Sequence, residues 1–307
     1  MPGRGPVRAI LILALVASFA GVAWTTSPSP PNVAEAFDQV PLRVSSTDSS
    51  GPANRDSRLP AIASQTPNLE AATSYAAGRG LVAVAVIDRD TGTYVDDGVN
   101  GHTPMGSASV VKVLIADELL FRRAQGEIEL GVGELALMET MMMDSNDSAA
   151  SSLYSQFGGV SLIAAALARH QLTESGPPAN PRYWGNTMIT AHDVATLYDN
   201  ILGGSSVSPG DRDYLISLLG RMAPTATDGF DQLFGMAGLD PRPQAAVKQG
   251  WMCCLVGVRN VHSTAVLGLD NRYVTVILTS YAESLPYSYG QETTTEVARL
   301  ILDELAL

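Results

Sequence analysis

The order of its apolar periodicities constrains this chain more than any other feature. A continuous apolar run, Leu81-Val82-Ala83-Val84-Ala85-Val86-Ile87, reads as a buried strand, and Asp88-Arg89-Asp90-Thr91-Gly92 turns it into a second one. Strand patterns then stop. Residues 109–124, 132–143, 148–157, 160–169, 191–202 and 211–221 instead carry helical periodicity, and a short helix over 69–77 precedes the first strand. Strands return over 245–248, 264–269 and 273–280, and a helix over 292–304 closes the chain. This order predicts an α+β fold of two subdomains: an antiparallel sheet flanked by helices, with an inserted all-helical subdomain. An active site would lie where the two parts meet.

Ahead of this region, Arg4 and Arg8 precede an apolar run over residues 9–24 that ends in Thr, Ser and Pro, the pattern of an export signal. The run is shorter than the roughly 20 residues of a membrane-spanning helix, which favours a cleaved signal peptide over a signal anchor. Gly21-Val22-Ala23 and Ala34-Glu35-Ala36 both offer small residues for cleavage, and no cysteine follows the run to accept a lipid, so a lipoprotein is not expected. The expected organisation is a signal peptide or anchor over 1–24, a Pro/Ser/Thr-rich linker over 25–67 and one folded domain over 68–307. The domain would be extracellular, in the cell wall, or membrane-anchored and facing outward, touching the membrane only through an uncleaved N-terminal segment.

Composition narrows the partners. Hydrophobic residues make up 46% and charged residues 16%, as in an ordered globular protein. A net charge of -12 without any Lys/Arg run removes nucleic acid, because phosphate binding needs a basic face. The two cysteines, Cys253 and Cys254, are adjacent, so they build neither a disulfide framework nor a CxxC metal pair, and a strained vicinal disulfide is the disfavoured outcome. His102, His170, His192 and His262 are scattered, with no HExxH and no GxSxG elsewhere. Each is expected to be a surface or structurally satisfied histidine, and no metal or cofactor is expected.

Chemistry enters at Gly106-Ser107-Ala108-Ser109-Val110-Val111-Lys112, where a helix begins. An i,i+3 spacing puts the Ser109 hydroxyl and the Lys112 amine on one face, and a desolvated lysine can take a hydroxyl's proton. Alone, such a pair also fits a helix cap beside a solvated lysine. A second hydroxyl stands in the polar stretch Ser145-Asn146-Asp147, and a third element, Val247-Lys248-Gln249-Gly250-Trp251, puts a lysine on a strand beside a glycine that permits close approach. Met141 to Met143 are expected to pack in the core. Trp184 and Trp251 fit either a pocket mouth or plain packing.

Taken in order, these elements resemble the SxxK, S-D-N and K-T-G triplet of class A β-lactamases and penicillin-binding proteins. The Tyr183-Trp184-Gly185 loop and the flanks of the motifs are similar to secreted actinobacterial serine hydrolases, over roughly residues 70 to 305. The resemblance implies that Ser109 is acylated, Lys112 accepts its proton, Ser145 relays a proton to the leaving group, and Lys248 binds the substrate carboxylate and supports Ser145. Asp147, Gln249, Gly250 and Trp251 would complete the substrate site, with the backbone N–H groups of Ser109 and Trp251 as the oxyanion hole. The implied ligand is a β-lactam or a peptidoglycan stem peptide; oligomeric state stays open.

This sequence departs from the pattern at three places. Asp147 stands where the family has an amide, and its charge would raise the pKa of Lys112. Gln249 replaces a hydroxyl residue. Residues 175–192 contain no acid to activate a deacylating water, and Glu174 is the nearest. Acylation with slow release is therefore expected. The competing readings are a D-Ala-D-Ala carboxypeptidase and a catalytically weak relative that binds cell-wall or protein partners.

Overall fold

The computed structural model describes residues 66–204 and 207–307; the expected signal segment and nearly all of the expected linker lie outside them. The apolar run becomes β1 (Leu81–Asp88), and its alternation sorts side chains by size. Val82, Val84 and Val86 pack with α1 (Glu70–Ala76) and α8 (Tyr287–Leu305), through Ala72, Val297 and Ile301. Ala83 and Ala85 point to the opposite face, where the helical insert covers them. A sheet sandwiched this way needs no polar face, which is why the run is continuously apolar.

Around β1 lies a five-stranded antiparallel sheet in the order β2 (Thr93–Asp96), β1, β7 (Tyr273–Ala282), β6 (Val258–Leu267), β5 (Ala245–Leu255). The insert contributes α2 (Val111–Ala124), α3 (Val132–Met143), α4 (Asp147–Gln156), α5 (Val160–Arg169), α6 (Ala191–Leu202) and α7 (Pro209–Gly220). A short antiparallel ribbon, β3 (Met105–Gly106) with β4 (Met188–Ile189), joins the chain before α2 to the chain before α6. The expected fold class is thus the observed one.

At the centre of the insert, α2 is buried almost all round, polar residues included: Lys112, Asp117 and Glu118 are inaccessible along with Val113, Ile115 and Leu119. Arg169 on α5 pairs with both Asp117 and Glu118, and Arg122 reaches Glu118 at 2.7 Å, so these buried carboxylates are matched. Met141 and Met142 are wholly buried in this core, as their apolar setting predicted.

The structure extends two strands beyond their expected bounds. Polar residues interrupt the β pattern at Gln249 and again over 260–263, yet within the sheet they are buried and bonded. Asn260 Nδ2 donates to Thr279 O at 3.1 Å, and His262 bonds Gly106 O at 2.8 Å while accepting the Thr279 N–H at 3.1 Å. At the exposed end of β5, Cys253 and Cys254 are bonded to each other, against the expectation of unpaired thiols. The pair lies where the β5–β6 register shifts. Among the described residues no helix is long and apolar enough to cross a membrane.

Candidate active site

Gly106 leaves β3 and the chain enters α2 through a 3-10 turn at Ala108–Val110, which carries Ser109. Ala108 takes φ +47°, a left-handed conformation costing a residue with a Cβ about 1–3 kcal/mol and kept only where neighbours enforce it. The neighbours are identifiable. The Ser107 N–H donates to Thr187 O at 2.8 Å and its hydroxyl to Gly185 O at 3.1 Å, clamping the turn to the loop before β4. On the other side runs β5, so close that a Cβ on Gly250 would sit 3.2 Å from Ser107 O and 3.3 Å from Ser109 N. Gly250 therefore serves the site by leaving space for the nucleophile turn. Ser109 stands at the N-terminal end of α2, where the helix dipole favours negative charge.

One turn into α2, Lys112 is fully buried and its Nζ lies 2.8 Å from Ser109 Oγ. The same nitrogen reaches Ser145 O at 2.6 Å, Ser145 Oγ at 3.2 Å and Asp147 Oδ1 at 2.7 Å. Burial pushes the Lys112 amine below its ordinary value, and the Asp147 and Asp228 carboxylates pull it back only in part. Asp147 does raise the value, as expected, but burial outweighs it. Its side chain is 75% exposed, so water screens its charge, whereas the lysine has lost its own hydration.

Ser145 sits between α3 and α4 at φ +51°, followed by Asn146, whose side chain caps α4 by accepting the Ala149 N–H at 2.9 Å. The loop is held from behind: Ala223 N–H donates to Met143 O at 3.0 Å, and Thr227 N–H to Asp144 O at 2.9 Å. Lys248 on β5 reaches Ser145 Oγ at 3.0 Å, so two buried lysines flank one hydroxyl. Burial first, and the Lys112 charge second, hold Lys248 well below the ordinary lysine range.

Ser109 and Asp147 open on a cavity of about 290 Å³ whose walls include Ser151, Arg182, Trp184 and Trp251. The Trp184 ring centroid is 5.0 Å from Lys112 Nζ, and its Nε1 donates to Ser151 Oγ at 3.1 Å. Trp251 stacks on Phe230 at 4.4 Å and donates to Asp228 at 3.0 Å. Both tryptophans stand at the pocket. A larger cavity of about 410 Å³ lies beside Tyr75 and Phe234, but it has no nucleophile and base together.

Two expected substrate contacts are corrected. Strand alternation turns Gln249 to the face opposite Lys248 and Gly250, where its buried amide donates to Gln232 O and Phe234 O. It does not face the cavity. Lys248 bonds Ser145 Oγ and Gln249 O, both at 3.0 Å, and does not line this cavity. Arg182 is an exposed cation on the wall, missed in the sequence because it belongs to no motif. Its signal was adjacency to the Tyr183-Trp184-Gly185 loop. Glu174 is turned elsewhere, bonded to His102 Nδ1 at 2.8 Å and to the Thr190 hydroxyl at 3.2 Å, which leaves Asp147 as the one acid on the cavity wall among the described residues.

A family model described as the β-lactamase enzyme family matches residues 134–305, more than half of the chain. The chain is 41% identical over 211 residues to "Putative lipoprotein LppW" of Mycobacterium tuberculosis and of Mycobacterium bovis, a match covering 67% of this chain and 65% of theirs. A β-lactamase from Chitinophaga pinensis superposes with a TM-score of 0.64 at 16% identity, covering 76% of this chain and 98% of that one. An ancestral class A β-lactamase gives 0.61 at 20% identity, covering 77% and 99%. At such identities the two solved structures show the shared fold alone.

Proposed function

Because this chain belongs to the β-lactamase enzyme family, we propose that it is an exported serine hydrolase whose Ser109 is acylated by a β-lactam or a D-alanyl peptide amide and released slowly. The observation that carries this reading is the 2.8 Å contact between Lys112 Nζ and Ser109 Oγ in a buried setting that favours the neutral amine. Neutral Lys112 takes the Ser109 proton as the oxygen attacks the carbonyl carbon. The backbone N–H groups of Ser109 and Trp251 stabilise the oxyanion, each worth about 3 to 4 kcal/mol in the transition state. Ser145, with Lys112 at 3.2 Å and Lys248 at 3.0 Å, hands a proton to the departing amine nitrogen, and the proton taken by Lys112 replaces it. Arg182 on the wall suits the carboxylate that both substrate classes carry.

Slow release is supported by the same geometry, since Asp147, the one wall acid among the described residues, is already paired with Lys112 at 2.7 Å. That pair also supports the second reading, a catalytically weak relative that binds cell-wall peptide, because it favours the ammonium form of Lys112. Export is supported by the apolar run over residues 9–24 and by the lipoprotein name of the mycobacterial relatives.

Intact-mass spectrometry after exposure to penicillin, and separately to a D-Ala-D-Ala peptide, tests the proposal. A covalent adduct on wild type that disappears in Ser109→Ala and in Lys112→Ala is the expected result. Unmodified wild type with both compounds would leave the binding-module reading standing.

A further inference from the structure

We propose that His102, Glu174 and His192 form a binding site for a divalent transition-metal ion, zinc by their donor chemistry, outside the acylation pocket and independent of Ser109. They come from three separate segments: the turn after β2, the loop after α5 and the first turn of α6. No spacing motif unites them in the sequence. The fold does, through the β3–β4 ribbon and a bond from the His192 N–H to Gly101 O at 3.0 Å.

One donor atom from each residue lies within 4.8 Å of the other two. Glu174 Oε2 is 2.9 Å from His102 Nδ1 and 3.5 Å from His192 Nδ1. Tetrahedral zinc with bonds of about 2.0–2.2 Å holds its ligand atoms roughly 3.3–3.6 Å apart. The His192 to Glu174 edge already matches. The His102 to Glu174 edge opens by roughly half an ångström as the ion takes the place of the Nδ1 proton.

The surroundings are those of a ligand set. His102 Nε2 bonds Asp96 Oδ2 at 3.0 Å, and Asp96 is fixed in turn by the Tyr94 hydroxyl at 2.6 Å and the Gly98 N–H at 2.8 Å. A carboxylate on the far nitrogen orients the ring and makes the near nitrogen the coordinating one. Glu174 is positioned by the Thr190 hydroxyl at 3.2 Å, and its own N–H donates to Asp193 Oδ2 at 2.9 Å. With side chains 41%, 33% and 35% exposed, the three ligands leave an open side for a water as the fourth. The ion would tie the segments on either side of the loop that carries Tyr183 and Trp184. Scattered in sequence, His102 and His192 are grouped in space with Glu174. The other cluster, Cys253, Cys254 and Glu283, has its sulfurs committed to each other.

The test is titration of the purified, non-reduced protein with zinc ion alone, followed by competition with a chromophoric chelator and by thermal unfolding. One equivalent should bind and raise Tm. Affinity should fall at least about tenfold in His102→Ala and Glu174→Gln, and by about 10 to 100-fold in Asp96→Asn, which removes only the orienting carboxylate. A Cys253→Ser/Cys254→Ser variant should bind as wild type does, and far-UV circular dichroism should show every variant folded. Absence of zinc binding by wild type overturns the proposal, and so does equal binding by folded His102→Ala or loss confined to the cysteine variant.

Discussion

Lys112 is where opposing electrostatic effects are decided. Stripped of water at the start of α2, it favours the neutral amine that a base must be; Asp147, 2.7 Å away, favours the ammonium. Burial wins because the carboxylate keeps its water while the lysine does not. Removing the opposing charge should therefore leave more of the lysine as neutral amine at a given pH. In Asp147→Asn the pH at which Ser109 labelling reaches half its maximal rate should move down, and below that pH the rate should rise about tenfold for each unit of the move. Stopped-flow labelling with a fluorescent penicillin across pH reads this directly, and a superimposable pH profile would show that Asp147 does not govern Lys112. The lysine, both serines and Asp147 were legible in the sequence because they fall in motifs with short internal spacing. Arg182 was not, since its place on the wall depends on how the loop before β4 folds back.

Among the elements, β6 was the hardest to read and has the most testable physics. It carries His262 fully buried, bonded to Gly106 O on β3 at 2.8 Å and to the Thr279 N–H on β7 at 3.1 Å, which requires the neutral ring. Burial holds the folded-state value down to about 4, against an ordinary value near 6.5. The unfolded chain thus binds a proton below 6.5 that the folded chain refuses until about 4. His262 supports the fold fully above 6.5, and its support is lost as pH falls between those values, by up to about 1.4 kcal/mol per pH unit. Urea unfolding at pH 7 and pH 4.5 should show that loss in wild type and a shallower one in His262→Gln; parallel losses would assign the acid sensitivity to carboxylates instead. Apolar runs find β1 and β7, but buried polar residues that bond the backbone of neighbouring segments erase that signal over 260–263. For α2 the opposite holds, as its apolar residues are dense enough to outweigh Lys112, Asp117 and Glu118.

At the scale of the whole molecule, the helical insert and the sheet each supply half of a site: Ser109, Lys112 and Ser145 from the first, Lys248 and Gly250 from the second. The proposed function has acyl-group capture outrun release, because Glu174 is turned out toward His102 and Thr190 while Asp147 is paired. Mixing enzyme with a chromogenic β-lactam should give a burst of about one equivalent followed by turnover slower by orders of magnitude. Sustained turnover at the burst rate would require a water-activating group that the cavity wall does not present. The sequence by itself determined the class of fold, since apolar periods of two and 3.6 specify elements and their order admits few layers, and it determined that Ser109 and Lys112 meet, since one helical turn brings them together. Only the tertiary structure decided which face Gln249 turns to, that Lys248 serves Ser145 rather than the open pocket, and that His102, Glu174 and His192 meet. Those facts depend on burial, strand facing and contacts between residues far apart in the chain, and periodicity carries no information about distances of that kind.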